Sequence, residues 1–309
     1  MFFSVTFFFV EEMPVYRLPQ LFEICANPIR LINFLLINGL IKRDRKCLKR
    51  NCRRRMIIVR NRSISDGHHF RCPKCKSYQS IHKDSFFENS NLSIPQILCI
   101  TFCWATKVSV KSTVYLADVC QHSVSQWYQF LREKCSESLL TNPNCIFGGE
   151  GVIVQVDESV VARRKYNIGR AVDQQWVFGI YDTRTKLGHV QLVDNRRADT
   201  LIPIIQKYVI AGTTIYSDQW AAYAQLGNLG YTHMTVDHSR NFVDPNTGVC
   251  TNSIQAYWSR VKRNVRLHWL SRRDQLPLRI DEFLWRDMLQ NKTDYAHVFH
   301  EMLRLMAAK

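Results

Sequence analysis

The sequence contains no apolar run long enough to cross a membrane as a helix. Such a helix needs about 18 or more consecutive apolar residues, and the longest runs, at 2–10 and 94–105, are shorter. The run at 2–10 has the length of a signal-peptide core, but no basic leader precedes it and no small-residue cleavage site follows it. We therefore expect a protein that is neither embedded in a membrane nor secreted.

Composition excludes two further classes of protein. Hydrophobic residues make up 46% of the chain and aromatic residues 12%, which rules out a disordered chain and lets 309 residues form two or three domains. The eleven cysteines are odd in number and scattered along the chain, unlike a disulfide framework. We expect reduced thiols and metal ligands in a reducing compartment.

Acidic residues are scarce relative to basic residues. The chain has 26 Asp and Glu against 42 Lys and Arg, a net charge of +16. Most of this excess lies between Lys42 and Lys76, where fourteen basic residues accompany only two acidic ones. The local charge predicts a polyanionic partner such as DNA, with Arg53, Arg54 and Arg55 as contacts. A solvated charged face or a nuclear-import tract is the alternative.

The basic run also contains two pairs of cysteines. Cys47 and Cys52 are spaced C-x4-C, and Cys72 and Cys75 are spaced C-x2-C. Thiolate pairs in tight turns can each hold one side of a tetrahedral Zn²⁺, and the metal then replaces the core that about 40 residues cannot build. We predict a zinc-ribbon-like basic DNA-binding module at 42–90. Four unrelated cysteines are the alternative.

Helical patterns lie on both sides of this module. Residues 14–41 are typical of short helices, and 91–140 contain three helical segments. The last segment has apolar residues on one side and Gln126, Gln129 and Arg132 on the other, with a capping box predicted at Ser123 and Gln126. A polar-faced helix after a short turn predicts a helix-turn-helix that contacts DNA through those three side chains. A helical connector without DNA contacts is the alternative.

The pattern changes to strands after a glycine-rich stretch at 148–151, which predicts a linker over 141–151. The predicted order over 152–290 is three strands, then helix, strand, helix, strand and helix. This is the order of the ribonuclease H-like fold, an α/β fold in which helices flank a mixed sheet. Residues 291–309 are predicted to form a C-terminal helical tail.

Two aspartates are predicted to meet at one edge of this sheet. Asp157 ends the first predicted strand and Asp218 the fourth, and these strands are neighbours in the fold. Paired carboxylates suit Mg²⁺, and two such ions would support an in-line phosphoryl displacement. The alternative is that both aspartates are turn residues. A third ligand is expected from the last helix, where Gln255 occupies the position.

Several short strings between 156 and 289 carry a family resemblance. They are Asp157-Glu158-Ser159, Trp176-Val177-Phe178-Gly179, Tyr216-Ser217-Asp218, Thr251-Asn252-Ser253-Ile254, Val261-Lys262-Arg263 and Asp281-Glu282-Phe283-Leu284-Trp285-Arg286. Taken together, they resemble the DDE transposase domain of the ISXO2-like group, which includes bacterial IS1595-type elements and eukaryotic Merlin transposons.

The resemblance implies roles for individual residues. Asp157 and Asp218 correspond to the first two catalytic acids, which would bind Mg²⁺ or Mn²⁺. Gln255 stands where the family has Glu, and Asn252, one turn earlier, is an alternative third member. Further negative charge near the site could come from two other acids, Glu158 and Asp237.

The implied function is that of a DNA transposase. It would bind terminal inverted repeats and target DNA as a homo-oligomer, in the nucleus of a eukaryote or otherwise in the cytoplasm, and cleave and transfer DNA strands. Lys262 and Arg266 would hold DNA phosphates beside the site. The alternative is a catalytically inactive, transposase-derived DNA-binding protein. Gln255 favours that alternative, whereas the two aspartates favour the enzyme.

Overall fold

The structure is a computed structural model that describes residues 15, 17–61, 63–64, 66–162, 175–237, 243–245, 247–266, 275–289 and 294–308. Contacts within the chain divide it into two units. Unit 1 comprises Met1–Lys134 and Asn291–Lys309, and unit 2 comprises Cys135–Gln290. The C-terminal end of the chain therefore belongs with its N-terminal part.

Unit 1 begins with two helices, α1 (Leu18–Ala26) and α2 (Pro28–Ile37), within the segment predicted to be helical. Asn27 separates them, because its side chain accepts hydrogen bonds from the backbone N–H groups of Ile29 and Arg30 and so caps α2. Among the described residues no single helix is long and apolar enough to span a membrane. The pair α1 and α2 passes that test only together, and it is bent by 114°.

A small antiparallel sheet follows. Its order is β1-β2-β3, and its strands are β1 (Ile57–Arg60), β2 (His68–Arg71) and β3 (Tyr78–Ser80). Phe70 in β2 is fully buried. Strands of three or four residues bury little apolar surface, so this sheet needs support beyond its own core.

Three helices follow: α3 (Ile94–Ala105), α4 (Val110–Ala117) and α5 (Gln121–Thr141). The residues of α5 from Cys135 onward belong to unit 2. Three residues join α4 to α5, and the first of them, Asp118, is left-handed with φ 51°. The hydroxyl of Tyr128 lies 2.8 Å from that of Thr113 and donates to the carbonyl oxygen of Val108 at 2.9 Å. These hydrogen bonds hold α5 against α4.

The side chains of α5 agree only in part with the sequence prediction. The four apolar residues that repeat at helical spacing are buried: Val124, Trp127, Tyr128 and Leu131. Arg132 was predicted to face outward, which is wrong. It is only 8% exposed, and its guanidinium carbon lies 6.0 Å from the centroid of the Tyr128 ring.

The capping box predicted for α5 is also wrong. The helix begins at Gln121, so Ser123 already lies inside its first turn. A capping box is present instead at the start of α3, where the backbone N–H of Gln96 donates to the Ser93 hydroxyl and the Gln96 side chain accepts from the Ser93 backbone.

Unit 2 is built on a mixed five-stranded sheet. Its strands are β5 (Ile153–Ala162), β6 (Gln175–Asp182), β7 (Gly188–Val193), β9 (Thr214–Asp218) and β10 (Thr232–Val236). Their order in the sheet is β10-β9-β5-β6-β7. β5 pairs antiparallel with β6, and β6 with β7, whereas β5, β9 and β10 run parallel to one another. These are the strand order and directions of the predicted ribonuclease H-like fold. A separate short pair joins β4 (Phe147–Gly148) to β8 (Val209–Ile210).

Helices cover both faces of the large sheet. They are α6 (Ala198–Tyr208), α7 (Asn252–Arg266) and α8 (Leu276–Met288). Phe178 of β6 packs in the core on the α6 side, and its neighbour Val177 packs in the core formed with α7 and α8. Successive strand residues therefore bury opposite faces, as the period of a strand requires.

Two details of unit 2 differ from the sequence prediction. Asp157 lies within β5 rather than at its end, because pairing with β6 continues to Ala162. The predicted helix at 219–226 is replaced by two 3-10 turns, Ala221–Tyr223 and Leu226–Leu229. A segment this short forms no stable α-helix by itself, and packing of fully buried side chains at 223 and 226 determines its path.

A further helix, α9 (Tyr295–Ala307), belongs to unit 1. Phe299 packs edge-to-face on Phe102 of α3, with ring centroids 5.2 Å apart. The Nε2 atom of His300 accepts a hydrogen bond from the backbone N–H of Val15 at 3.0 Å. The C-terminal helix α9 therefore contributes side chains to the core of unit 1 together with the N-terminal part of the chain.

α7 is fixed to β5 by one buried side chain. The Gln155 amide donates to the carbonyl oxygen of Cys250 and accepts from the backbone N–H of Ile254, each at 2.9 Å. Close packing adds to this, since a Cβ atom on Gly179 would lie 2.6 Å from the Trp258 ring. Gly179 is therefore required for α7 to approach the sheet this closely.

Replacing Gly179→Ala should lower the free energy of unfolding by about 1 to 3 kcal/mol, because the new methyl group displaces the Trp258 ring. Gly227→Ala is the matched control, since a Cβ there meets no atom within 4 Å. Urea unfolding of the two variants measures the difference. Equal free energies of unfolding for the two variants would show that α7 accommodates the added methyl group without loss of stability.

Candidate active site and metal centres

Three carboxylates lie just beyond the point where the pairing between β5 and β9 ends. The pairing ends where Gln155 lies beside Tyr216, and Asp157 and Asp218 each follow two residues later in their strands. Oxygen atoms of Asp157, Glu158 and Asp218 all lie within 4.8 Å of one another. The structure thus places together the two aspartates that the sequence predicted to converge, and Glu158 joins them. We refer to these three residues as the acid cluster.

Glu158 is the most enclosed member of the acid cluster. Its side chain is 2% exposed, the Tyr223 hydroxyl donates to Oε1, and Nη1 of Arg196 lies 4.0 Å from Oε2. The pKa of Glu158 is raised to about 7, mainly by burial and in smaller part by the neighbouring carboxylates of Asp157 and Asp218. At neutral pH the carboxylates of the acid cluster therefore carry more negative charge than the neighbouring cation neutralises.

Gln255 lies at the acid cluster, as its position in the sequence indicated. Its Nε2 donates to Oδ2 of Asp157 at 2.9 Å, and the indole Nε1 of Trp258 donates to the same oxygen at 2.9 Å. Asn252 is exposed at the first position of α7, and within the described part of the chain no hydrogen bond joins it to the acid cluster. The group of metal-ligating side chains found there does not include Asp237.

Glu158 is the site residue that sequence reasoning undervalued. The sequence predicted for Glu158 only that it could add negative charge near the site. Two features bring its carboxylate back toward the cluster, the Tyr223 hydroxyl and the Arg196 guanidinium. The Asp157-Glu158 pair itself was the only signal in the sequence.

The predicted phosphate contacts on α7 continue from the acid cluster along the helix. Lys262 is half-buried and lies two turns after Gln255. The side chain of Arg266 lies outside the part of the chain that the structure describes.

The four predicted zinc ligands form a second cluster, in unit 1. The sulfur atoms of Cys47 and Cys75 are 3.4 Å apart, those of Cys52 and Cys72 are 3.6 Å apart, and all four lie within 4.8 Å of one another. Hydrogen bonding by Ser77 lowers the pKa of Cys75 to about 6, which favours the thiolate that binds metals. Four cysteine thiols that converge in this way are a donor set that can hold Zn²⁺.

The other predicted DNA contacts lie on the surface of unit 1, with one exception. Arg53, Arg54 and Arg55 are exposed, and Arg55 forms an ion pair with Asp44. On α5, Gln126 is exposed, whereas Gln129 is half-buried and donates to Oε1 of Glu133 at 2.9 Å. The exception is Arg132, which is buried.

Comparison with known proteins agrees with this geometry. Residues 149–287 match the family model of the ISXO2-like transposase domain. This region is an ISXO2-like transposase domain. A transposase-like protein of Haemophilus influenzae, itself uncharacterized, is 26% identical over 95 residues, which are 31% of this chain and 76% of that protein. The transposase domain contains all three members of the acid cluster and Gln255.

Two solved structures resemble part of the chain weakly. The catalytic core of BIV integrase is 12% identical, with a TM-score of 0.31 over 43% of this chain and 81% of that one. The HTLV-2 integrase catalytic core in complex with magnesium is 15% identical, with a TM-score of 0.30 over 46% of this chain and 88% of that one. At these scores they add nothing to what the strand order of the transposase domain shows.

We expect the cysteine cluster to bind about one Zn²⁺ per chain, because its four thiols already converge. Cys72→Ser should lose the metal and lower the thermal stability of unit 1, whereas Cys120→Ser, at an exposed cysteine outside the cluster, should keep both. Elemental analysis and thermal unfolding with and without chelator measure these effects. A wild-type chain that contains no zinc and unfolds identically with chelator would contradict the expectation.

Glu158 should make the metal-free protein less stable as pH rises. Its pKa is about 7 in the folded state against an ordinary 4.5, so the folded state holds the proton longer than the unfolded state. The stabilisation by the neutral form is complete below pH 4.5 and is lost as pH rises to about 7. Relative to wild type, Glu158→Gln should gain up to about 3 kcal/mol over that interval.

Chemical unfolding with chelator at a series of pH values from about 4 to 8 measures this difference. The exposed Glu150→Gln in the same unit is the matched control. A difference between wild type and Glu158→Gln that does not change with pH would show that folding leaves the pKa of Glu158 unchanged.

Proposed function

We propose that the protein is a DNA transposase that cleaves DNA at the ends of a mobile element and transfers the freed strand to target DNA. The observation that carries the proposal is the acid cluster, three carboxylates within 4.8 Å of one another inside an ISXO2-like transposase domain. Carboxylates that share one site at this spacing are suited to divalent metal ions and so to phosphoryl transfer.

Mg²⁺ or Mn²⁺ is the proposed cofactor of this site. The donor set fits, because it consists of hard oxygen ligands that lie within 4.8 Å of one another. Asp157 and Asp218 would hold the metal, with Glu158 beside them. When bound, divalent ions activate the attacking oxygen and stabilise the leaving oxygen of an in-line displacement.

The surrounding residues position the ligands. Trp258 and Gln255 both donate to Oδ2 of Asp157 and so orient this carboxylate. Tyr223 and Arg196 orient the carboxylate of Glu158. Lys262 and Arg266, further along α7, are proposed to hold DNA phosphates, since cations on this face continue from the acid cluster.

Recognition of DNA is assigned to the N-terminal part of the chain. The cysteine cluster would hold Zn²⁺ in a ribbon over 42–90, with Arg53, Arg54 and Arg55 at phosphates. Helices α4 and α5 would act as a helix-turn-helix over 91–140 that contacts terminal inverted repeats through Gln126 and Gln129. We leave the buried Arg132 out of this surface. Pairing of two element ends implies a homo-oligomer on double-stranded DNA, in the nucleus of a eukaryote or otherwise in the cytoplasm.

A catalytically inactive DNA-binding protein is the second candidate function, and Gln255 favours it. An amide at this place can coordinate a metal through its oxygen but contributes no negative charge. In the structure its nitrogen faces Asp157. An inactive protein would retain DNA binding and lose metal-dependent cleavage.

Gln255→Glu should raise DNA cleavage roughly 10²- to 10³-fold, the effect associated with one strong electrostatic contributor at an active site. The measurement is cleavage, in Mg²⁺ or Mn²⁺, of a DNA fragment carrying the sequences that flank the reading frame. Adding Asp157→Ala or Asp218→Ala should abolish the gain while DNA binding persists.

Three results separate the candidates. Activity that appears with Gln255→Glu and vanishes with Asp157→Ala supports the transposase. Cleavage absent from both wild type and Gln255→Glu, with DNA binding intact, identifies the inactive DNA-binding protein. Strong wild-type activity that Gln255→Glu leaves unchanged indicates another third ligand, and Asn252→Ala then tests the predicted alternative.

A further inference from the structure

A cleft of about 510 Å³ opens beside the acid cluster, and the positioning roles described above do not account for it. It lies between the start of α6 and the chain that follows β9. Its volume is within the range of small-ligand sites. The residues that line it are Asn195, Arg196, Arg197, Ala198, Trp220, Ala221 and Ala222. The wall is therefore aromatic and basic, with small residues that leave room.

Arg196 lies between two indole rings at this cleft. Its guanidinium carbon is 4.2 Å from the centroid of the Trp176 ring and 4.5 Å from that of Trp220. The indole N–H of Trp220 donates to the carbonyl oxygen of Arg196 at 2.9 Å. Trp220 is nevertheless 40% exposed. The ring is thus held in one orientation before any ligand arrives, so that binding against it costs little side-chain entropy.

The cleft adjoins the acid cluster through two of its own residues. The backbone N–H of Trp220 donates to Oδ1 of Asp218 at 3.1 Å, and Nη1 of Arg196 lies 4.0 Å from Oε2 of Glu158. A molecule in the cleft would therefore lie next to a phosphate held at the acid cluster. That adjacency relates the cleft to the DNA strand on which the proposed reaction acts.

We propose that this cleft binds one unpaired nucleotide of the DNA strand next to the reacting phosphate, with its base against Trp220 and its phosphate toward Arg197. The proposal rests on the proposed function. Aromatic rings at nucleic-acid sites stack on bases of any sequence, and exposed arginines attract the backbone. A base inside a duplex is covered on both faces by its neighbours, so an indole can stack only on a base that has left the helix or lies in a single strand.

The test is photo-cross-linking of the full chain to a twenty-nucleotide single strand that carries 5-iodouracil at several positions, without Mg²⁺ or Mn²⁺. Mass spectrometry of the digest then locates the adducts, so that binding elsewhere in unit 1 does not obscure the result. We expect an adduct at Trp220. Tyr295, which is 41% exposed on α9, is the matched aromatic control and should give at least about tenfold less.

Two variants isolate the ring itself. Trp220→Phe and Trp220→Leu both lose the bond to Arg196, but only Trp220→Phe keeps an aromatic face. Trp220→Phe should retain the adduct at this position, and Trp220→Leu should reduce it about tenfold or more. If neither variant folds, the wild-type comparison of Trp220 with Tyr295 decides alone.

Other results would overturn the proposal. A cross-link yield at Trp220 no higher than at Tyr295 would show that the cleft is not a nucleotide site. An equal yield at Trp220 from a fully paired duplex would show that the cleft does not prefer an unpaired base. Because no metal is present, these results do not depend on cleavage. A chain that never cleaves DNA would end the proposed function instead, whatever the cross-linking shows.

Discussion

The contact between the Trp258 ring and Gly179 determines where α7 lies, and the acid cluster depends on that position. Gly179 pairs with Asp157 across the sheet, so the ring that lies against the glycine also reaches the aspartate with its N–H. The same approach brings the Gln255 amide to Asp157. A residue larger than glycine at position 179 would displace α7, and with it the indole N–H of Trp258 and the Gln255 amide. The packing of Trp258 on Gly179 therefore also determines which side chains reach Asp157.

Charge at the acid cluster explains why an amide is tolerated beside Asp157. With Glu in that place, the metal-free protein would bring another carboxylate against a group that already includes the partly protonated Glu158. The Gln255 amide instead donates a hydrogen bond to Asp157. An amide at this place adds no negative charge to the metal-free acid cluster and no charge attraction for divalent ions.

The sheet and its two aspartates could be predicted from the sequence because both follow from local periods. Alternating apolar residues define the strands, and the strand order of a known fold makes the strands that carry Asp157 and Asp218 neighbours. Details that depend on tertiary contacts could not be predicted. Arg132 occupies a polar position of α5, yet the folded chain leaves it only 8% exposed. The stack on Arg196 joins residues from three separate segments, and no spacing in the sequence reveals it.

The membership of α9 in unit 1 has a consequence for biosynthesis. A ribosome releases the chain from its N-terminus, so the whole transposase domain is complete before α9 emerges. Until then α3 lacks the Phe299 ring that packs on Phe102, and the N-terminal unit remains an unfinished core. A chain that ends before α9 would leave the apolar surface of α3 around Phe102 uncovered. The core of the N-terminal unit can therefore be completed only after the transposase domain has been synthesised.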